Sequence, residues 1–419
     1  MDILIKNGII ITQDDERKIF KGNIAINGNL ITYVGKEMPS GNFDSIIDAT
    51  DKLVLPGFIN THTHVAMTGF KGLLDDMELN EFLNKTSELD SKRTDDGIFN
   101  SSLLGIYEMI NGGITSFLDL YYSEDIIESA VKKTGIRAYL AWATLDREFT
   151  TQKGEPVNNA ENFIKQTHAD TVKPLIGVQG IYVSSDENYY RVKDISKKYG
   201  VKIHTHLSET RQEVYDFVKK NGERPVEHLY KINFLDDNVI AAHTVWVTLN
   251  EIKMLAKSGT KVSWNAVSNA KLASGGTMPV PEMIANNVNI SLGTDSSGSN
   301  NSLNMFEEMK FSSLMINNDR WNADTVKSQQ ILDMATRNAG KALGENIGIL
   351  KPGYLADLII IDGRAVNMIP SNENNAINNI IFSATPENVR FVIVNGRILK
   401  HDGNIPGFDP EKFARLNYL

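Results

Sequence analysis

The sequence predicts an α/β fold: a (β/α)8 barrel of the TIM type with a small β-sandwich assembled from both termini. Two observations carry this. Between residues 56 and 346, eight strand-like apolar runs alternate with helical patterns, the signature of βαβ units around a closed parallel sheet. Residues 1–55 and 347–419 instead read as short strands broken by Asn-Gly pairs, the strongest local hairpin signal. The composite sandwich therefore takes 1–55 and 347–419, and the barrel, 56–346, is inserted between them.

Taken in order, the first end offers strands at Ile3–Thr12, Asn23–Ile26 and Leu30–Val34, with Asn7-Gly8 and Asn27-Gly28 as hairpin signals. Pro56-Gly57 reads as a turn, after which a short extended segment ends on His62-Thr63-His64 and opens the barrel. Seven further strands follow at Gly113–Leu120, Arg137–Ala143, Lys173–Tyr182, Val201–Glu209, Val239–Trp246, Lys261–Asn269 and Val288–Asp295. Helical patterns lie between them, among them Ser123–Lys133, Glu187–Lys198, Thr248–Lys257 and Leu303–Ile316. The strand texture returns at Ala356–Ile361 and in a hairpin at Val389–Val394, Asn395-Gly396 and Arg397–Lys400, while 363–376 is polar and irregular, a surface excursion. A doubly wound open sheet is the rival, but no GxGxxG or P-loop accompanies it.

Composition narrows the function. With 419 residues, 41% hydrophobic, the chain can bury a large core. A net charge of -9 without a Lys/Arg run argues against a nucleic-acid partner. No apolar stretch reaches the roughly 18 residues of a membrane span, and the opening MDILIKNGIIIT reads as a strand rather than a signal peptide; a cytoplasmic protein is expected. The absence of cysteine removes disulfides, thiolate ligands and a Cys nucleophile. Any metal must sit on His, Asp or Glu.

Barrel active sites lie at the C-terminal ends of the strands, and the chemistry gathers there. The first strand ends in His62 and His64, two residues apart and so on one side of a strand. The fifth ends in His206, with Glu209 three residues on; the sixth ends in His243 and the eighth in Asp295. With His204, five of the eight histidines fall at such ends. Three imidazoles and a carboxylate suit Zn2+ with a position left for water. His204 shares a face with His206; His206, nearer the strand end, is the preferred ligand, and His204 a core or supporting residue. Of the rest, His168 on a helix and His401 read as solvated, and His228 as structural.

PGFINTHTH (56–64), HLSE (206–209), Ala242-His243, SNAKLASG (268–275), LGTDSSGSNNSLNMFEEM (292–309) and IGILKPGYLADL (347–358) occur in this order across nearly the whole chain. In this combination the sequence resembles the amidohydrolase superfamily, in the branch of 5-methylthioadenosine/S-adenosylhomocysteine deaminases and triazine chlorohydrolases. The resemblance implies one divalent metal, Zn2+ with Fe2+ or Ni2+ as alternatives, on His62, His64, His206 and Asp295. The fourth strand ends in Gln179-Gly180-Ile181-Tyr182 without the bridging lysine of dinuclear relatives. It implies that Glu81 hydrogen-bonds ribose hydroxyls, and that relatives are often dimers or tetramers. The expected reaction is hydrolytic deamination of an adenine nucleoside of the methylthioadenosine, S-adenosylhomocysteine or adenosine kind. In it a metal-activated water attacks the ring carbon, Asp295 takes the water's proton, His243 holds the attacking oxygen, and Glu209 protonates the ring and the departing ammonia.

Two motifs depart from the family. Gln179 stands where relatives carry a substrate-contacting histidine, and Trp264-Asn265-Ala266 replaces an HNP-type motif, Trp264 offering a stacking face to substrate. Arg147 is the candidate partner for a substrate carboxylate. The alternatives are the same machinery on guanine, cytosine or an s-triazine, and a non-catalytic assembly protein on the same fold.

Overall fold

The computed structural model describes residues 1–77 and 79–419, with Leu79 and Asn80 described by backbone alone. The strands in chain order are β1 (Ile3–Ile11), β2 (Ile19–Asn27), β3 (Leu30–Gly35), β4 (Ser45–Asp48), β5 (Lys52–Pro56), β6 (Phe58–Thr63), β7 (Ile114–Tyr121), β8 (Arg137–Thr144), β9 (Val172–Val178), β10 (Ile203–Leu207), β11 (Val239–His243), β12 (Lys261–Trp264), β13 (Ile290–Leu292), β14 (Leu358–Asp362), β15 (Val389–Val394) and β16 (Arg397–Lys400). They form two sheets.

The terminal sheet runs β16-β15-β14-β5-β1-β2-β3, with β4 also paired to β1. It mixes strands from both ends of the chain, as the sequence predicts, and curls so that Leu30 of β3 bridges Leu355 just ahead of β14. Ile3, Ile5, Ile24, Ile26, Val54, Leu358, Ile360 and Phe391 then close on one apolar core. Two local readings are corrected. Asn7-Gly8 is a bulge inside β1, where the register against β2 shifts between Ile5 and Gly8. Asn7 takes the left-handed φ of 64° there, so the signal marked an extra residue rather than a chain reversal. Pro56-Gly57 does not turn either: β5 passes through Gly57 into β6, carrying the chain straight from one sheet into the other. A Cβ on Gly57 would lie 2.1 Å from Thr115 Cγ2, so glycine is required by the close approach of the neighbouring strand.

The second sheet, β6 through β13, is parallel throughout and in sequence order. A parallel bridge from Thr63 to Asp295 closes it, with Asp295 N donating to His62 O at 2.9 Å. The seam thus falls among the predicted ligands. Gly293 permits it, since a Cβ there would stand 2.7 Å from the His62 backbone nitrogen. Residues alternate in and out along the strands, except in β6, whose register against β7 shifts between Asn60 and Thr63. Ile59, Leu118, Leu120, Tyr139, Ala141, Leu175 and Ile240 fill the barrel interior. Alternate positions such as Phe117, Leu140, Ile176, Val262 and Trp264 pack against the surrounding helices. The expected helices form at Glu124–Thr134, Asp186–Tyr199, Leu249–Ser258 and Met305–Arg320. The sixth-to-eighth strand runs are shorter than predicted, and Ala266–Lys271 is a helix. Among the described residues no helix is long and apolar enough to cross a membrane.

Candidate active site

His62, His64, His206, His243 and Asp295 meet at the C-terminal mouth of the barrel, all buried. His62 Nε2 and His64 Nε2 each lie 3.3 Å from Asp295 Oδ1, and His206 Nε2 lies 3.2 Å from His64 Nε2. One ligand atom from each of His62, His64 and Asp295 falls within 4.8 Å of the others, as do those of His62, His206 and His243.

Hydrogen bonds on the far sides of the rings show what this arrangement accepts. His64 Nδ1 meets Leu120 O, and His206 Nδ1 meets Gln179 O. A carbonyl only accepts, so both rings carry their proton on Nδ1 and aim Nε2 lone pairs inward. His204 Nδ1 donates to Ile240 O at 2.9 Å, leaving its Nε2 to accept from His62 Nδ1 at 2.8 Å. His62 therefore also presents a lone pair on Nε2, an atom that is buried and without a hydrogen-bond partner among the described residues. Burial holds His62 and His206 well below the ordinary imidazole range, so both are neutral donors. Three inward lone pairs beside a carboxylate oxygen fit a divalent cation. His204 has the supporting place expected of it.

Asp295 is gripped from behind. Ser268 Oγ donates to its Oδ2 at 2.6 Å and Ser299 Oγ at 3.0 Å, leaving Oδ1 to the site. His243 Nδ1 is met by Asn265 Nδ2 at 3.1 Å and Asn269 Nδ2 at 3.0 Å. Its Nε2 lies 3.6 Å from Glu209 Oε2. Burial, with the charge of Asp295 added, pushes the Glu209 carboxyl up to about 8, so it holds a proton near neutrality. The backbone under Glu209 is locked: Glu213 accepts from Ser208 N at 3.0 Å and Glu209 N at 2.7 Å, and it forms a capping box with Thr210. Ser208, His243, Thr244 and Asp295 have φ of 49°, 68°, 51° and 63°. Left-handed backbone at non-glycine residues is costly and gathers at functional sites.

The other predicted contacts divide. Gln179 follows β9 at the mouth, its carbonyl orienting His206 and its amide nitrogen 3.5 Å from Tyr182 Oη. Glu81 is exposed in the first turn of the helix Leu79–Asp90. Arg147 is exposed after β8 and donates to Thr150 O at 2.8 Å. Trp264 is a correction: it is wholly buried, on the outward side of β12. Its neighbour Ser263 points inward to Thr61 at 2.7 Å, so strand parity sends the indole into the helix layer and away from substrate. His168 lies in a loop, not on a helix, and is paired with Glu128 at 2.8 Å rather than solvated. His228 is held between Glu223 and Asp186, both at 2.7 Å, a structural place as expected, and His401 is exposed. Sequence reasoning missed Asn265, Ser268, Asn269 and Ser299. All four stand in quoted motifs, yet Ser and Asn in a loop give the same signal when they merely form turns.

An eight-stranded parallel barrel with a histidine–aspartate cluster at its mouth is the architecture of metal-dependent hydrolases. The chain belongs to the amidohydrolase family, whose model matches residues 53–399. It is 38% identical over 408 residues, 96% of this chain and 93% of the relative, to a 5'-deoxyadenosine deaminase of Methanosphaera stadtmanae. It is 37% identical over 403 residues, 95% and 94% of the two chains, to a 5-methylthioadenosine/S-adenosylhomocysteine deaminase of Thermococcus sibiricus. Among solved structures it superposes on an adenosine deaminase from Xanthomonas campestris with bound zinc at a TM-score of 0.93 and 25% identity, covering 99% of this chain and 96% of that one.

Proposed function

We propose that the protein is a hydrolytic deaminase of an adenine nucleoside, with 5'-deoxyadenosine, 5'-methylthioadenosine, S-adenosylhomocysteine and adenosine as the substrate class. The observation that carries this is the placement of Glu209: a half-buried, proton-holding carboxyl 3.6 Å from His243 Nε2, beside three imidazoles and Asp295. The named activities of the relatives support it.

His62, His64, His206 and Asp295 would hold a divalent metal, Zn2+ foremost, which when bound lowers the pKa of water to roughly 7 and supplies the nucleophile. Asp295, its Oδ2 fixed by two serines, presents Oδ1 to the site, where it would sit beside the metal and accept a proton from the attacking water. Neutral His243 hydrogen-bonds that oxygen and steadies the tetrahedral adduct. As the C6–O bond forms, electron density moves onto ring N1, and Glu209 donates its proton there. The C6–N bond then breaks, the proton gathered by Asp295 leaves with ammonia, and the hydroxyl proton of the adduct passes to Glu209 as the ring carbonyl forms, restoring its acid form. One water is consumed, one ammonia is released, and a ring carbonyl remains. Glu81 is assigned to the ribose hydroxyls and Gln179 to a neutral contact at the mouth. Arg147 is the candidate for a substrate carboxylate.

The test is ammonia release by metal-loaded protein from the four adenine nucleosides, guanine and cytosine, with a chelator control. Chelator-sensitive release from the adenine nucleosides is expected. Silence on all of them would overturn this reading and move the search to substituted triazines. Glu209→Gln should retain metal and lose on the order of a hundredfold or more in kcat.

A further inference from the structure

Asp295 and His243 are oriented largely from one small element. Ser268 and Asn269 lie on the six-residue helix Ala266–Lys271, and Asn265 is its N-cap. A helix this short has no stability of its own, so its position is set from outside.

The outside contact at its start is Glu308, a wholly buried carboxyl in the first turns of Met305–Arg320 that the reaction does not use. Its Oε1 accepts from Val267 N at 3.2 Å, and the Ala266 amide also faces it. Its Oε2 lies 3.4 Å from Asn300 Nδ2, which donates to Thr294 O at 2.8 Å, the carbonyl just before Asp295. One side chain thus grips the helix carrying Ser268 and Asn269 and, through Asn300, the turn carrying Asp295. A carboxyl kept in an apolar interior is costly unless its bonds serve something.

We infer that Glu308 is a positioning residue for the reaction, fixing the short helix so that Ser268 and Asn269 hold Asp295 and His243 in register. This rests on the deaminase reading. What matters is the reach of an acceptor oxygen to the Ala266 and Val267 amides. Glu308→Gln keeps that acceptor in a group that cannot ionise, Glu308→Asp keeps the carboxyl but withdraws it by one methylene, and Glu308→Ala removes the acceptor.

The experiment measures kcat and KM separately, and hydrogen exchange of the amides of residues 266–271, for the metal-loaded wild type and the three variants. Expected for Glu308→Asp and Glu308→Ala are a kcat roughly ten- to hundredfold lower, KM within about threefold, and faster exchange in 266–271. Glu308→Gln should recover most of both. Glu308→Ala combined with Ser268→Ala should lose less than the product of the single losses, because both act on one carboxylate. Glu308→Asp matching or exceeding Glu308→Gln would overturn the inference, as would faster exchange with kcat within twofold, or multiplicative losses. If Glu308→Ala does not fold, the Asp and Gln comparison decides alone. A wild type that releases no ammonia would count against the deaminase reading, while exchange in the variants still tests whether Glu308 holds the helix.

Discussion

His64 Nε2 and His206 Nε2 stand 3.2 Å apart, and with Nδ1 of each ring held by a carbonyl the two nitrogens face each other across a position that suits a shared cation. The carbonyl of Ile240 sets this at one remove for His62, through His204. His204→Phe keeps the ring shape and removes the acceptor that fixes His62. Metal affinity should fall roughly ten- to hundredfold, read as metal retained after dialysis against a graded chelator; unchanged retention would refute the relay. Glu209 gives a pH prediction. A carboxyl raised to about 8 is a proton donor below that value and is spent above it, so kcat/KM should fall as pH rises. A bound cation pulls the value down, placing the falling limb at or below pH 8, and a rate still climbing through pH 9 would remove Glu209 as the acid. At this scale the meeting of the histidines and Asp295 was legible, because HxH on one strand and His or Asp at later strand ends form a pattern that spacing reveals. Trp264 was misread because its distance from the strand end says nothing until the parity of β12 is known. Ser268 and Ser299 were invisible, since they reach Asp295 only once residue 295 adopts a φ of 63°, a turn no periodicity encodes.

At the scale of elements, glycine marked several decisive places, and the sequence showed the glycine without its reason. Gly8 sits at a bulge and Gly57 in a straight crossing, though both pairs read as turns from the same residue types. Gly57 is a packing requirement, so Gly57→Ala should act on stability rather than on the reaction. Its methyl must displace the buried Thr115 side chain. A loss of about 1–3 kcal/mol is expected, measured as a lower urea midpoint at unchanged slope. Thr115→Ala should recover part of it by opening the space; no recovery would place the strain elsewhere. The helices were predicted well because their apolar spacing and caps are local, as with Thr248, whose hydroxyl accepts from Glu251 N. The late strands were overextended because β12 runs directly into Asn265 and the helix Ala266–Lys271, and β13 into Gly293-Thr294-Asp295, where the sequence alone does not show that pairing has stopped.

For the whole molecule, the sequence predicted that both ends of the chain build one small β-sandwich, and they meet in one curled sheet, but it did not show how that sheet is tied to the barrel. One tie is Arg137 at the start of β8, whose Nε is 2.6 Å and Nη2 3.2 Å from the two oxygens of Asp357, just before β14. Both side chains are almost fully buried, at 3% and 1% exposure, and Asp357 also accepts from Asn395 N at 2.7 Å at the β15–β16 turn. Such a pair has no sequence signature, because its partners are 220 residues apart and each alone looks like an ordinary surface charge. A buried pair is weak evidence of net stabilisation, since desolvating two charges offsets their attraction; breaking it on one side strands the other charge in the interior. Arg137→Ala should therefore cost about 3–5 kcal/mol, whereas Arg137→Met with Asp357→Leu should cost much less. Because the pair lies at the opposite end of β8 from the histidines, the metal-loaded double variant should keep its kcat while its thermal midpoint shifts. Equal losses for the single and double variants would show that Asp357 serves the Asn395 turn and not the joint between the two sheets.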